Sequence, residues 1–291
     1  PLLVLVDQRG TLYSDPYLGC TESIDFTYRN IVLTPEEFDE EALEAESFAL
    51  LEACYDRFIA DGVDLSAFNS VENARDMNLV RQALGHEQIA FYGVSYGTLL
   101  VQHYMRLFPE TLESAILDAV VATSEDFIAP TPANAQRAFD LLFDSCAADT
   151  TCNAAFPDLR AVFEATVARL NANPIPIELT DAELTGETYT AYFYGDDLIA
   201  LTFLLMYNTP IIPLLPAMIY DASNDILALP DLILEIIIFD FTDSAGFYNS
   251  VVCAEEIDDI DDANLDGLDP WLAEYYSGPN ALDTCAIWQV D

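Results

Sequence analysis

A serine between two glycines is the feature of this sequence with the clearest chemical meaning. Gly93, Ser95 and Gly97 form a Gly-x-Ser-x-Gly pattern. The pattern follows an apolar run over residues 87–92 that is typical of a buried strand, and helically spaced apolar residues follow over 98–107. Where a strand turns into a helix, such glycines allow a tight backbone and expose the serine hydroxyl. The pattern therefore predicts a nucleophile for acyl transfer, with Ser95 as the attacking residue.

The start of the following helix adds a second chemical property to this turn. Backbone N–H groups at a helix N-terminus have no intrahelical partner, and the helix dipole places partial positive charge there. Negative charge that develops on a substrate oxygen is stabilised at such a position. We therefore predict that the backbone N–H of Tyr96 donates to the oxyanion. A chance match of five residues is the alternative, and the flanking strand and helix patterns favour the functional interpretation.

Three further segments surround the serine turn in a recognisable order. An Asp-Gln-Arg-Gly turn over residues 7–10 follows the apolar residues 2–6, which we interpret as a strand. Residues 76–85 lead into the serine turn, and residues 116–120 indicate the strand after its helix. Together with YGVSYGT over 92–98, these segments resemble the α/β-hydrolase exopeptidases of the prolyl aminopeptidase and secreted tripeptidyl aminopeptidase group. The resemblance implies an α/β-hydrolase parallel sheet, incomplete at both ends, with a largely helical cap domain.

The elements that must position the serine can be outlined from the same patterns. We predict a long helix over 35–60 and a second helix over 71–84, followed by the strand, turn and helix around Ser95. Alternating strands and helices imply a parallel sheet that is covered by helices on both faces.

Beyond residue 122 the strand patterns fade and helical patterns dominate. Residues 133–146 and 158–170 are amphipathic, and Pro174 and Pro176 are expected to mark a turn. We therefore predict a core segment over 1–122 and a helical cap over 123–291.

A serine nucleophile needs a base, and this sequence offers few candidates. In the resembled fold the acid and the histidine follow the serine along the chain. The sequence holds two histidines, His86 and His103. His103 lies roughly 12 Å along the helix that follows Ser95, too far for a hydrogen bond of about 3 Å. His86 precedes the strand and lies at its far end, so we interpret both as packing or surface residues.

The missing base leads to an expectation about the extent of the sequence. In the family that it resembles, the strands that carry the catalytic acid and histidine would follow Asp291. We therefore expect this sequence to be the middle of a longer protein. The competing interpretation is a natural short relative that is inactive. Asp118, after the strand that follows the helix, is the in-chain candidate for an alternative triad acid, and we interpret it as structural.

The charge of the chain excludes two classes of partner. The 51 acidic residues outnumber the nine basic residues, all of them arginine, which gives a net charge of −42. Such a surface repels the phosphates of nucleic acids and anionic lipids. Self-repulsion at this density is screened by salt, so a saline habitat is one explanation, and an acidic medium is another. The sequence does not separate them.

Six cysteines indicate an oxidising compartment, so we predict a secreted or periplasmic protein. Six cysteines allow 15 connectivities, and spacing alone does not choose among them. Cys146 and Cys152 are close enough in sequence to join two helices across a short loop. The family resemblance implies two further pairs, Cys20 with Cys54 and Cys253 with Cys285.

Two apolar or acidic stretches have alternative interpretations that we set aside. Residues 198–220 carry no charged side chain and are long enough to suggest a membrane helix. Pro210, Pro213 and Pro216 favour two short cap helices instead, and we expect no membrane span. Residues 262–267 match half of a calcium loop, but the twelfth position is Ala273 rather than glutamate. We therefore predict no metal site and no cofactor.

These observations favour a serine hydrolase, most specifically a secreted exopeptidase that acts on a free N-terminus. The resemblance implies an acid in the cap that pairs with the ammonium group of the substrate, and Glu255 or Glu256 occupies that position. The alternative for these two residues is the solvated acidic surface. Alternative functions are an esterase or lipase of the same fold, or a non-catalytic acidic protein that keeps the fold. The substrate is a peptide or an ester, and the oligomeric state is left open.

Overall fold

A computed structural model describes residues 2–124, 126–180, 188–227, 244–257, 260 and 262–290. Helices account for most of its regular structure, and the strands form two small sheets. In chain order the helices are α1 (Ile24–Ile31), α2 (Glu40–Ala60), α3 (Ser70–Ala83), α4 (Tyr96–Leu107), α5 (Thr131–Ala148), α6 (Thr150–Ala155), α7 (Leu159–Ala172), α8 (Gly195–Leu205), α9 (Leu215–Ser223), α10 (Ala245–Glu255), α11 (Pro270–Tyr275) and α12 (Ala281–Ile287). The strands are β1 (Ile89–Val94), β2 (Leu112–Asp118), β3 (Ile175–Thr180) and β4 (Thr188–Phe193).

A strand–helix–strand unit carries the Gly-x-Ser-x-Gly segment. Strands β1 and β2 are parallel, with Ala90 opposite Ser114 and Val94 opposite Asp118. Helix α4 connects them and packs against β1, so the serine turn lies at the carboxyl end of the sheet. The predicted α/β fold class, with a parallel sheet and a helical remainder, is confirmed.

The two helices before this unit begin where side chains cap them. The predicted helix over 35–60 begins instead at Glu40, because the Asp39 carboxylate accepts a hydrogen bond from the N–H of Ala42. The helix predicted over 71–84 is α3, and Asn69 caps it by accepting from the N–H of Glu72. Both helices therefore form as predicted, with starts set by local hydrogen bonds.

Residues 2–6 do not form the strand that the sequence analysis predicts. Leu2, Leu3 and Leu5 are 71%, 81% and 87% exposed, and no ladder bonds join this segment to another strand of the described residues. A strand needs a partner for its backbone N–H and C=O groups. Among the described residues, β1 and β2 pair only with each other. The apolar composition of residues 2–6 therefore does not by itself produce a strand.

The cap contains a hairpin that the sequence analysis missed. Strands β3 and β4 are antiparallel, and Pro176 lies within β3 opposite Tyr192 rather than in a turn. Ile175, Ile177 and Leu179 alternate with exposed residues, which is the period-two pattern of a half-buried strand. A proline is tolerated in such a strand at a sheet edge. The alternation of apolar and polar residues is present in the sequence, but Pro174 and Pro176 favour a turn over a strand there.

The apolar stretch over 198–220 forms two helices, α8 and α9, as predicted. The chain between them contains Pro210 and Pro213, and proline also occupies the first turn of α9. Within the described part of the chain, no helix is both long enough and apolar enough to cross a membrane. The apolar residues 232–241 lie outside the described residues.

Two hydrophobic clusters hold the described segments together. The larger cluster spans the cap helices α5, α7, α8 and α9 and also includes Leu272. Phe139, Phe163 and Phe193 are among its fully buried side chains. Phe139 meets Trp271 edge-on, with 5.0 Å between the ring centroids, and stacks with Phe203 at 6.5 Å. The cap therefore has a core of its own.

The smaller cluster joins the two ends of the described chain. Leu18, Cys54 and Phe58 pack with Cys253 and Trp288. The last two residues belong to the predicted cap, so part of that segment packs against the N-terminal one. The boundary at residue 122 stays a prediction, and this contact indicates that residues near 253 and 288 bridge the two parts.

Three disulfide bonds connect pairs of elements among the described residues. Their pairing is the one that the family resemblance and the short spacing imply: Cys20–Cys54, Cys146–Cys152 and Cys253–Cys285. The first ties the N-terminal loop to α2, and the third ties α10 to α12. The described residues contain no free cysteine.

Candidate active site

The serine turn has the strained backbone of an exposed nucleophile. Ser95 has φ 51° and ψ −124°, a conformation that non-glycine residues seldom adopt. Its N–H donates to the carbonyl of Asp118 at 3.0 Å, which ties the turn to the end of β2. Its side chain is exposed, and no hydrogen bond to its hydroxyl occurs within the described residues. The fold thus holds Ser95 in place and leaves its oxygen free to react.

The two glycines of the pattern have different roles in the structure. A Cβ atom on Gly93 would lie 2.6 Å from the carbonyl oxygen of Gly97. Because that oxygen belongs to the backbone, it cannot move aside as a flexible side chain could. A Cβ atom on Gly97 would meet nothing within 4 Å among the described residues. Glycine is therefore sterically required at position 93, where the strand passes closest to the first turn of α4.

The N-terminus of α4 presents an unpaired donor beside the serine. The N–H of Tyr96 has no hydrogen-bond partner among the described residues, as expected for the first residue of a helix. Thr98 supports this turn, because its hydroxyl donates to the carbonyl of Ser95 at 2.7 Å. The same hydroxyl accepts from the N–H of Val121 at 2.8 Å. The turn is therefore braced from both sides while the Tyr96 donor stays available.

Neither histidine serves Ser95 in the described structure. His103 lies on α4, where its Nδ1 atom is 3.2 Å from Nη2 of Arg106. Burial lowers the pKa of this half-buried imidazole. His86 is exposed, and its carbonyl accepts from Arg81. These placements agree with the interpretation of both histidines as packing or surface residues.

Asp118 is close to the serine turn through its backbone rather than through its carboxylate. Its carbonyl accepts from Ser95, whereas its side chain accepts from the hydroxyl of Tyr92 at 2.7 Å. This bond to Asp118 raises the pKa of the exposed Tyr92 phenol. The residue following Asp118, Ala119, also has a positive φ of 54°. The interpretation of Asp118 as structural agrees with these contacts.

Arg9 joins two of the segments on which the family resemblance rests. Its guanidinium donates two hydrogen bonds to the carboxylate of Asp76, at 2.7 Å and 2.8 Å. A third bond reaches the carbonyl of Ala67 at 2.5 Å. Paired bonds between a guanidinium and a carboxylate are strong and directional. The Asp-Gln-Arg-Gly turn is thereby fixed to α3, which packs on α4.

Glu255 does not have a free carboxylate. One of its oxygens accepts from the N–H of Ser70 at 2.7 Å, and the other accepts from the Ser70 hydroxyl at 2.6 Å. Ser70 is fully buried at the start of α3, where helix N–H groups favour a negative partner. Each carboxylate oxygen of Glu255 therefore already accepts one hydrogen bond from Ser70.

Glu256 is the more available of the two acids. Its side chain is buried, and one carboxylate oxygen accepts from the N–H of Phe127 at 2.8 Å. Burial raises the pKa of this carboxyl to about 7. The N–H of Phe127 lowers this pKa, whereas the charges of Asp126 and Glu255 and a side-chain hydrogen bond with Asp126 raise it further. Such a group has a strong electrostatic reason to take up a cation.

A cavity of about 620 Å³ opens beside the segments that hold Glu256. Ile128 and Ala129, which directly follow Phe127, line it together with Asn249 and Val252 of α10. Tyrosines 248, 275 and 276 supply much of the remaining wall. The volume lies within the range of small-molecule and peptide sites. Because no charged side chain belongs to its described lining, the cavity suits uncharged groups of a ligand.

No metal-binding chemistry emerges from the described part of the chain. The cluster of potential ligands found there consists of Cys20, Glu22 and Cys54. The two cysteines are joined as a disulfide, so their sulfur atoms are not available as thiolates.

Sequence reasoning missed Ser70, Thr98 and Phe127, which position the candidate residues. Asn69 with Glu72 three residues later is a typical helix-start signal, so the position of Ser70 was readable. Its partner Glu255 lies 185 residues away, and no local pattern connects the two. Thr98 was visible as the last residue of the YGVSYGT segment, without a sign of its double hydrogen bond.

The comparison with protein families agrees with this geometry. A family model described as the alpha/beta hydrolase fold matches residues 3–173, which is more than half of the chain. The chain therefore belongs to the α/β-hydrolase fold family.

Several curated relatives carry names of peptidases or hydrolases. A tripeptidyl aminopeptidase of Streptomyces lividans is 32% identical over 124 residues, which are 42% of this chain and 22% of the relative. Serine protease Hip1 of Mycobacterium tuberculosis H37Rv is 30% identical over 163 residues, 53% of this chain and 30% of the relative. Putative hydrolase YuaR of Escherichia coli K12 is 27% identical over 203 residues, 67% of this chain and 36% of the relative. The matched stretches thus cover well under half of each relative.

The close contact at Gly93 leads to a prediction about stability. Gly93→Ala is expected to lower the free energy of unfolding by about 3 kcal/mol, because its Cβ atom overlaps a backbone carbonyl. Gly97→Ala is the matched control and should change it by no more than about 1 kcal/mol, since the added methyl group meets open space. Urea unfolding of the two variants checks this, and equal losses would contradict the assigned contact.

The buried Glu256 carboxyl leads to a prediction about pH. Between the ordinary carboxyl pKa and about 7, the folded state keeps a proton that the unfolded state releases. The free energy of unfolding therefore falls as pH rises through this window. Glu256→Gln removes this fall, so it should match wild type near pH 4. It should be more stable by up to about 3 kcal/mol above pH 7.

Urea unfolding from pH 4 to pH 8 measures this difference. Glu113→Gln removes one charge from an exposed position of β2 and controls for the lower net charge. If the free energy of unfolding of Glu256→Gln depends on pH in the same way as that of the control, the pKa of Glu256 is not raised in the folded state.

Proposed function

We propose that this chain belongs to a serine exopeptidase that cleaves peptides from a free N-terminus. The observation that carries the proposal is the serine turn, with a strained and exposed Ser95 beside the unpaired N–H of Tyr96. The hydrolase family and the relatives named as peptidases support it. The whole protein's activity is part of the proposal, because the chain matches only a part of those relatives.

The proposed chemistry is acyl transfer to Ser95. The Ser95 oxygen attacks the scissile carbonyl carbon, and the negative charge that moves to the carbonyl oxygen is stabilised by the N–H of Tyr96. The Ser95 proton passes to a general base and then to the departing amine. His86 and His103 are not placed for that step, so the proposal assigns to this chain the nucleophile and one oxyanion donor.

We further propose that Glu256 receives the ammonium group of the substrate. The motivating observations are its burial, the neighbouring negative charges of Asp126 and Glu255, and its hydrogen bond to Phe127, which directly precedes two residues that line the cavity. A charge-assisted hydrogen bond to an ammonium group would offset the cost of ionising this carboxyl. Glu255, which bonds to Ser70 through both oxygens, is the weaker candidate for this role.

We also propose that the protein functions outside the cytoplasm. All six cysteines are joined in disulfides, which persist in secreted and periplasmic proteins and are rare in the reducing cytosol. Mass spectrometry of the protein isolated from its natural source, under conditions that block free thiols, tests this. Six alkylated cysteines would contradict it.

The first prediction of this proposal concerns covalent labelling. A fluorophosphonate probe should react with the whole protein at Ser95, and Ser95→Ala should lower labelling more than 100-fold, since triad nucleophiles account for most of the rate. Ser114→Ala, which changes an exposed serine of the neighbouring strand, is the control and should label normally. Equal labelling of wild type and Ser95→Ala would overturn the assignment.

The second prediction concerns recognition of the free N-terminus. Glu256→Gln should raise KM for a tripeptidyl p-nitroanilide about tenfold, the cost of one charge-assisted hydrogen bond. The same substrate with an acetylated N-terminus has no ammonium group and is the control, so its KM should not change. If KM is unaffected for both substrates, Glu256 does not bind the amine.

A further inference from the structure

A chain of hydrogen bonds connects Glu255 to the residue that follows Ser95. The Tyr96 hydroxyl lies 2.9 Å from Oγ of Ser70, and that Oγ atom donates to Glu255 at 2.6 Å. A carboxylate carries acceptors only, so the Ser70 proton points to Glu255. The Tyr96 hydroxyl must then donate to Ser70. The direction of both bonds is therefore fixed by the charge at the end of the chain.

The surroundings of Tyr96 keep its hydroxyl protonated. Burial raises the pKa of this phenol, and the nearby charges of Glu255 and Glu256 act in the same direction. The ring also packs edge-on against Phe247, with 6.2 Å between the centroids. Tyr96 is thus held at its ring by α10 and at its hydroxyl by α3.

Three helix ends meet at this point. Ser70 is the first residue of α3, Tyr96 is the first residue of α4, and Glu255 is the last residue of α10. The Cys253–Cys285 disulfide fixes α10 two residues before Glu255. Ser70 is fully buried, so the bonds on it are shielded from water. The first residue of α4 is consequently held by elements that are distant from it in sequence.

We infer that Ser70 and Glu255 are positioning residues that aim the backbone N–H of Tyr96 at the oxyanion. The inference rests on the proposed function, in which this N–H is an oxyanion donor. Such donors act by being held in place before charge develops, so a small displacement lowers the rate. In this inference Glu255 acts through Ser70 and Tyr96 and does not contact the substrate.

The kinetic test removes a single hydroxyl group from the whole protein. Tyr96→Phe keeps the ring against Phe247 and loses the bond to Ser70. It should lower kcat for a tripeptidyl p-nitroanilide about tenfold and leave KM within twofold, because the substrate is still bound but its oxyanion is less well stabilised. The N-acetylated substrate should lose the same factor. A change confined to KM, or to the substrate with a free amine, would overturn the inference and return Glu255 to substrate binding.

Helix α4 supplies a matched control. The hydroxyl of Tyr104 lies 2.7 Å from that of Thr111, which in turn donates to the carbonyl of Phe108. Tyr104 is fully buried, so Tyr104→Phe removes a similar bond from the same helix without touching the serine turn. We expect normal kcat for this variant. An equal loss of kcat in both variants would show that general stability, and not positioning, is responsible.

A second measurement does not depend on activity. The dipeptide Ser-Tyr occurs once in the sequence, at residues 95 and 96. Labelling serine with ¹³C at the carbonyl and tyrosine with ¹⁵N restricts the NMR spectrum of the whole protein to the amides of Ser-Tyr pairs, and the signal that Tyr96→Phe removes is that of Tyr96. Ser70→Ala and Glu255→Ala should shift this resonance, and Tyr104→Phe should leave it in place. An unchanged resonance in Ser70→Ala and Glu255→Ala would overturn the inference.

The two measurements separate the possible failures. If Ser95 is not labelled by the fluorophosphonate probe, the proposed function fails, while the NMR experiment still decides whether Ser70 and Glu255 position the Tyr96 amide. If Ser95 is labelled and Tyr96→Phe has normal kcat, the proposed function stands and the positioning role is wrong.

Discussion

The close approach of β1 to the first turn of α4 is the constraint on which the rest of the structure depends. No side chain fits at Gly93, where a Cβ atom would lie 2.6 Å from a carbonyl oxygen of the helix. Ser95, which lies between this strand and the helix, has a positive φ, and Asp118 and Thr98 stabilise that conformation by bonding to its backbone. An exposed hydroxyl and a free helix N–H are the direct consequences.

The scarcity of basic residues explains how the carboxylates around this unit are satisfied. With 51 acids and nine arginines, most carboxylates cannot have a cationic partner. Several accept backbone N–H groups instead: Asp39 and Asp149 cap helices, and Glu255 bonds to the start of α3. Arg9 illustrates how an arginine is used: its paired hydrogen bonds to Asp76 connect two segments that are distant in sequence. The N–H groups at helix starts therefore stabilise some of the carboxylates that have no arginine partner.

The proposed site depends on contacts between residues that are far apart in the chain. Glu255 reaches Ser70 across 185 positions of sequence, and Glu256 reaches Phe127 across 129. Neighbouring acids on one helix end thus have different surroundings, one engaged by a helix start and the other buried with a raised pKa. This difference is the basis for the two roles that we propose, positioning for Glu255 and substrate binding for Glu256, which their sequence position alone does not distinguish.

The sequence by itself determined the serine turn, the helices α2 to α5 and α7, and the family, because each rests on local periodicity, local caps or a short motif. Only the tertiary structure decided that residues 2–6 form no strand with the described sheet and that residues 175–180 and 188–193 form a hairpin. It also decided that Glu255 bonds to Ser70 and that Glu256 bonds to Phe127. Such outcomes depend on partners far away in the chain, and strand pairing, burial and the pKa of a carboxyl are set by those partners rather than by neighbours in sequence.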